Sequence, residues 1–260
     1  MLPNGGWDLV RQIAFMFVAY WSYRTVRGAV DDPAGAAVAF AHTRDLISVE
    51  QALNLFVEPS IQAWAEGKPL ILDISSWFYI NAQSTITLGT LTFIYLAHNR
   101  SFYFVRNMFA VSWALALVGY GLYPVAPPRM FPEWGFADSV STFLHVSHRD
   151  SVSRLFNPYA AVPSMHVCFA LMVGVPLSRL CKHRPVRLFW TIYPLLVVFV
   201  IVSTGNHFLT DAFLGACTAG VGALVARQLG RLRPEAWTFT GTTPPAPAPA
   251  APAAPVPAVA

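Results

Sequence analysis

Two long runs near the end of the chain limit what it can fold into. No Asp, Glu, Lys or Arg occurs between Arg187 and Asp211, and none between Asp211 and Arg227. Runs of this length and apolar character read as membrane-spanning helices. An ionisable group between two such runs is costly, and it persists where it faces a cavity, a partner or a reaction. Asp211, in the segment Ser203-Thr-Gly-Asn-His207-Phe-Leu-Thr-Asp211, is therefore the residue to explain first.

Composition extends that reading to the whole chain. Hydrophobic residues make up 55% and charged residues 12% of the 260, against roughly 25% charged in soluble domains. The expected fold class is all-α, an integral membrane six-helix bundle. Its spans fall at about 9–26, 74–97, 102–123, 162–180, 188–203 and 208–226. Between the first two, residues 31–68 mix apolar and charged side chains, including Glu50 and Glu58, as amphipathic interfacial helices do, with a break near Pro59. The membrane-embedded domain is expected over 1–233. From 234 to 260 the chain becomes a Pro- and Ala-rich tail with no periodic apolar face, expected to be disordered. The formal charge of +4 is modest, and no nucleic-acid partner is expected. Cys168, Cys181 and Cys217 have no ligand spacing and read as packing residues.

Loop charges orient the bundle. Arg179, Lys182, Arg184 and Arg187 lie between the fourth and fifth spans, and Arg227, Arg231 and Arg233 follow the sixth. The positive-inside rule makes both ends cytoplasmic. With six spans, the N- and C-termini are cytoplasmic, and His166 and His207 share the outer level. Asn81, Gln83, Ser84 and Thr85 in the second span are expected to face other helices.

The candidate chemistry rests on two clusters and one cation. His207 and Asp211 are four residues apart, one helical turn, so the carboxylate can orient one imidazole nitrogen and leave the other as nucleophile or base. Pro163-Ser164-Met165-His166 opens the fourth span with Pro in the first turn and Ser at the cap, a natural anion site with a hydroxyl and an imidazole added. Arg129, after Ala126-Pro-Pro, could grip a phosphate through two parallel bonds. Arg106 reads as a side chain that snorkels to an interface. His166, His207 and Asp211 also permit a metal site by residue type, although the cap and Arg129 fit an anion better. Another class fits the same residues, a transporter or scaffold that binds lipid or anion without catalysis. No internal repeat favours it.

Taken together, Tyr123-Pro-Val-Ala-Pro-Pro-Arg129, Pro163-Ser-Met-His166 and Thr204-Gly-Asn-His207-Phe-Leu-Thr-Asp211 resemble the type 2 phosphatidic acid phosphatase superfamily. The resemblance covers about 46–225 and is closest to the branch that includes inositol phosphorylceramide synthases. It implies a phosphatase or phosphotransferase in which His207 forms a phosphohistidine, Asp211 orients it and His166 handles the proton. Ser164, Arg129 and backbone amides would hold the phosphoryl oxygens, with Arg106 as a further candidate. No metal or other cofactor is implied. The implied partners are a lipid phosphate or phospholipid donor in the bilayer and water or an alcohol such as inositol as acceptor, on the extracytoplasmic side. Three positions depart from the superfamily pattern. The Lys-to-Arg-Pro motif is absent, with Ala-Pro-Pro-Arg129 in its place; Ile201 stands where an arginine usually precedes the histidine; and Met165 replaces a glycine.

Overall fold

The computed structural model describes residues 2–29, 33–145 and 159–238, and all regular structure among them is helical. In chain order the helices are α1 (Gly5–Ala29), α2 (Pro33–Ala52), α3 (Glu58–Glu66), α4 (Pro69–Ala97), α5 (Asn99–Leu122), α6 (Ser139–Leu144), α7 (Met165–Leu180), α8 (Arg184–Ser203), α9 (Leu209–Leu232) and α10 (Pro234–Thr238). Proline marks most of the boundaries. It sits in the first turn of α3, α4 and α8, where its missing N–H goes unused anyway. After α5, Pro124, Pro127 and Pro128 prevent continuation.

Among the described residues, three helices are long and apolar enough to cross a membrane: α5, α8 and α9. The 16-residue α7 is a shorter apolar helix. The chain is thus membrane-associated. The sequence expectation of six spans is wider than this set. Both α1 and α4 are long enough, but Asp8, Arg11 and Arg24 interrupt the first, and a run of polar residues dilutes the second.

α5 is the central strut, packed against α1, α4, α7 and α9. α1 runs beside it in the same direction, with Asn4 Nδ2 donating to Tyr103 Oη at 2.6 Å near one end and the Tyr23 and Tyr120 rings 6.4 Å apart near the other. One apolar core joins these helices through Phe109, Met172, Cys168 and Ile201, each fully buried. A second core lies at the α7/α9 N-terminal end, where Leu46 and Ile47 of α2 meet Val125, Phe131, Phe136, Val162 and Phe208. α2 and α3 therefore lie over that end of the bundle as a cap. Burying Phe131 and Phe208 completely makes each a main anchor of the cap, worth about 3–5 kcal/mol against truncation to Ala.

Two expectations change here. Asn81 donates back to Trp77 O of its own helix, and Ser84 and Thr85 are exposed. The helical period turns Ala82, Thr87, Thr90 and Leu91 inward instead, so the polar cluster is split between faces. The expected tail begins differently too: 234–238 form α10, packed on α9 and α5. Residues 239–260, and His148 and Arg154 of the long connection, lie outside the described residues.

Close approach of α9 to the start of α7 depends on Gly215. A Cβ there would lie 2.3 Å from Ser164 O, a backbone atom that cannot swing aside. Gly215→Ala should lower stability by about 1–3 kcal/mol, read as a fall in the thermal midpoint of the detergent-solubilised protein. Gly220 in the same helix faces open space, so Gly220→Ala should leave the midpoint unchanged or raise it. Equal effects at the two positions would show that the contact with Ser164 does not limit packing.

Candidate active site

The site forms where the starts of α7 and α9 meet. Ser164 N donates to the backbone carbonyl of Asp211 at 3.1 Å, which fastens the beginning of α7 to the first turn of α9. The Asp211 side chain is fully buried, and its Oδ2 does two things. It accepts from Phe208 N at 3.0 Å, capping α9, and it pairs with His207 Nδ1 at 3.2 Å. A carboxylate held by a backbone amide cannot drift, so the imidazole it engages is fixed in turn. Asp211 Oδ1 has no hydrogen-bond partner among the described residues.

His207 reaches this position through a tight reversal after α8. Asn206 N and His207 N both donate to Ile201 O, at 3.0 and 3.2 Å. Gly205 turns the chain at φ +67°, and a Cβ on it would come within 2.8–2.9 Å of the Gln62 amide group and 2.9 Å of Ala137 O. The cap thus presses on the turn that carries the histidine. Ile201, where the superfamily pattern has arginine, is fully buried in the apolar core, so no cation enters from that position.

His166 comes from the first turn of α7. Its ring centroid is 5.5 Å from that of His207, edge to face, and it stacks on Tyr79 of α4 at 4.3 Å. A narrow cleft descends beside it between α4, α7 and α8, past Gln83, Thr87, Phe169 and Tyr193. Ser164 occupies the cap position, but its hydroxyl does not cap α7, contrary to expectation. Its Oγ is fully buried without a partner among the described residues. A buried hydroxyl left in this state costs about 1–3 kcal/mol, so it is ready to donate to an anion.

Arg129 joins the same cluster. Its backbone N donates to Gly205 O at 2.8 Å, and its Nη1 donates to Asn206 Oδ1 at 2.6 Å. Asp138 lies 3.6 Å from Nε. The guanidinium is therefore fixed to the residue just before His207. Sequence reading passed over Asn206, which stood in the quoted Thr-Gly-Asn-His segment; its proximity to His207 was the available signal.

Arg106 does not join them. It is fully buried thirteen residues before Gly119, the α5 position that packs against Pro163 next to Ser164, and so roughly 20 Å from the site by helical rise. There it donates to Gln12 Oε1, Asn107 Oδ1 and Trp237 O. Gln12 in turn donates to Asp8, which also accepts from the Tyr95 and Tyr103 hydroxyls at 2.9 and 3.1 Å. This network ties α1, α4, α5 and α10 together at the opposite end. Arg106 neither snorkels nor faces the histidines, because Gln12 and Asp8, far away in sequence, enclose it.

Sequence reading also assigned no role to Glu50 and Glu58. Both are fully buried at the start of α9, where Glu58 Oε1 accepts from Leu209 N and Glu50 Oε1 from Thr210 N, each at 2.8 Å. No group of three or more His, Cys, Asp or Glu side chains suited to a metal occurs among the described residues.

In sum, an oriented imidazole faces a second imidazole beside an unpaired hydroxyl, a fixed guanidinium and a helix N-terminus. That arrangement can hold a tetrahedral anion and exchange groups at its centre. No curated protein and no solved structure matches the chain. A family model described as PAP2 superfamily matches residues 44–225, well over half of the chain and all of the site. Such proteins are generally phosphatases or phosphotransferases, and the chain belongs to the PAP2 superfamily.

Proposed function

We propose that the protein cleaves the phosphoester of a lipid donor through a phosphohistidine and passes the phospho group to water or to an alcohol such as inositol. The observation that carries this reading is the His207 Nδ1 contact with Asp211 Oδ2 at 3.2 Å, with the His166 ring 5.5 Å from that of His207. Asp211 engages Nδ1, which assigns bond formation to Nε2. In the first half-reaction Nε2 attacks phosphorus, the phosphorus–oxygen bond to the leaving group breaks, and protonated His166 gives its proton to the departing oxygen. In the second, His166 takes a proton from water or the acceptor alcohol, the new oxygen–phosphorus bond forms and the phosphorus–nitrogen bond breaks. Arg129, the Ser164 hydroxyl and the first-turn amides of α7 hold the phosphoryl oxygens.

The bundle suits a donor that stays in the bilayer. α1, α4, α5, α7, α8 and α9 act as six spans in this reading, with Arg179, Lys182, Arg184, Arg187, Arg227, Arg231 and Arg233 at the end away from the histidines. The site then opens on the extracytoplasmic side and both termini are cytoplasmic. Inositol as acceptor draws on the 123–129 segment, which resembles that of inositol phosphorylceramide synthases.

The test is to incubate purified protein with phosphatidic acid, a polyprenyl phosphate and phosphatidylinositol, each labelled at phosphorus. Wild type should trap acid-labile label, and His207→Ala should trap none, with turnover down at least about 100-fold. Asp211→Asn should fall by a similar order. Full turnover in His207→Ala would sink the mechanism and leave a binding or transport role. Asn206→Ala removes the contact that holds Arg129 Nη1 and leaves the Asp138 pair, so KM for the lipid phosphate should rise roughly tenfold, more than kcat falls. An unchanged KM would show that Asn206 does not place Arg129 for phosphate binding.

A further inference from the structure

Glu50 and Glu58 do nothing in the reaction described above, yet neither has any exposed surface. Burying a carboxyl group is costly unless it is well satisfied. Both grip α9 by its backbone. With Asp211 on Phe208 N at 3.0 Å, Glu58 on Leu209 N at 2.8 Å and Glu50 on Thr210 N at 2.8 Å, three successive amides each have a separate carboxyl group. One side-chain cap is the usual provision at a helix start. Two of these three come from the cap helices α2 and α3, 160 and 151 residues away in sequence.

The remaining oxygens, Glu50 Oε2 and Glu58 Oε2, are buried with no partner among the described residues. Burial, with a smaller push from the charge of Glu50, raises Glu58 from 4.5 to about 7, against the opposing pull of Leu209 N. Asp211, with His207 paired to it, lies within reach of the Glu50 charge.

We propose that Glu50 and Glu58 are positioning residues: a carboxyl pair that docks α2 and α3 on the first turn of α9 and so holds His207 in line with His166. The effect on turnover rests on the function proposed above, whereas the grip on α9 does not. The pair acts through the backbone of residues 209 and 210, and neither acid touches substrate. Its pull on the helix is one that only a correctly placed acceptor reproduces.

Amide hydrogen exchange over residues 207–211, in the full chain in detergent, reads the grip directly. Glu50→Ala and Glu58→Ala should each speed exchange there at least about tenfold and lower kcat on a short-chain phosphatidic acid by about 10- to 100-fold, with KM within about twofold. Glu50→Gln and Glu58→Gln keep an oxygen acceptor and should restore both protection and most of kcat. If an alanine variant does not fold, the Asp variant, one methylene short of its amide, should show the same losses in weaker form. Unchanged exchange in these variants overturns the grip, whatever the substrate. Faster exchange with wild-type kcat overturns the positioning of His207. Absent turnover in wild type would defeat the proposed function, while exchange would still decide on the pair.

The buried Glu58 carboxyl has a second readout. Glu58 holds its proton more tightly folded than unfolded, so its contribution to stability is full below about pH 4.5 and is lost as pH rises through about 7. Relative to Glu58→Gln, which does not titrate, the wild-type thermal midpoint should therefore fall across that window. Parallel curves would overturn the burial of a protonated Glu58 against α9.

Discussion

The hydrogen bond from Ser164 N to the Asp211 carbonyl joins the starts of two helices that approach from different parts of the chain. The side chain of the same aspartate caps α9 and engages His207. One residue thereby fixes the helix pair, the helix start and the imidazole together. Its burial is what makes the arrangement rigid, because a carboxyl group shielded from bulk solvent has few competing partners and its hydrogen bonds hold firmly. Gly215 allows the two helices to close on it, and the cap helices press on it from above.

The cap explains why the chain carries charged amphipathic helices beside an otherwise apolar bundle. α2 contributes Thr43, whose hydroxyl accepts from Ala126 N at 2.9 Å, so it fastens the proline-rich connection that ends in Arg129. α3 contributes Gln62, which donates to Ala137 O at 2.8 Å and to Ser139 Oγ at 3.0 Å. These helices thus bind the loops that carry the guanidinium on one side and the N-terminus that follows the histidine on the other. A surface helix without such a duty would not bury a glutamate.

Much of the architecture was legible in the sequence, for physical reasons. Uncharged runs and prolines fixed the helices now seen as α4, α5, α7, α8 and α9 to within a few residues, because burial and helix termination are local properties. The pairing of His207 with Asp211 was legible because helical spacing alone brings positions four apart together. Long-range pairings were not legible. Glu50 and Glu58 read as the wet side of interfacial helices, since nothing near them in sequence reveals amides 160 and 151 residues away. Arg106 read as an interfacial or phosphate-binding cation for the same reason, its enclosing residues lying at the other end of the chain. Ser164 was expected to cap its helix, and its hydroxyl instead stays unpaired.

Helix N-termini attract anions, and here two of them lie side by side. At α9 three protein carboxyl groups occupy three successive opening amides, so a phosphate would find those donors already taken. The start of α7 offers an unpaired hydroxyl, and Arg129 stands close to the turn before α9. In the proposed reaction this asymmetry separates the two parts of the work. The substrate's charge goes to α7, and the helix start already filled with carboxyl groups presents the nucleophile to it. Asn206 then matters more than its size suggests, since its Oδ1 holds Arg129, the proposed phosphate cation, one residue before His207. A guanidinium fixed there approaches the phosphorus from the nucleophile's own turn, which is how a chain with isoleucine at position 201 can still match cation to anion.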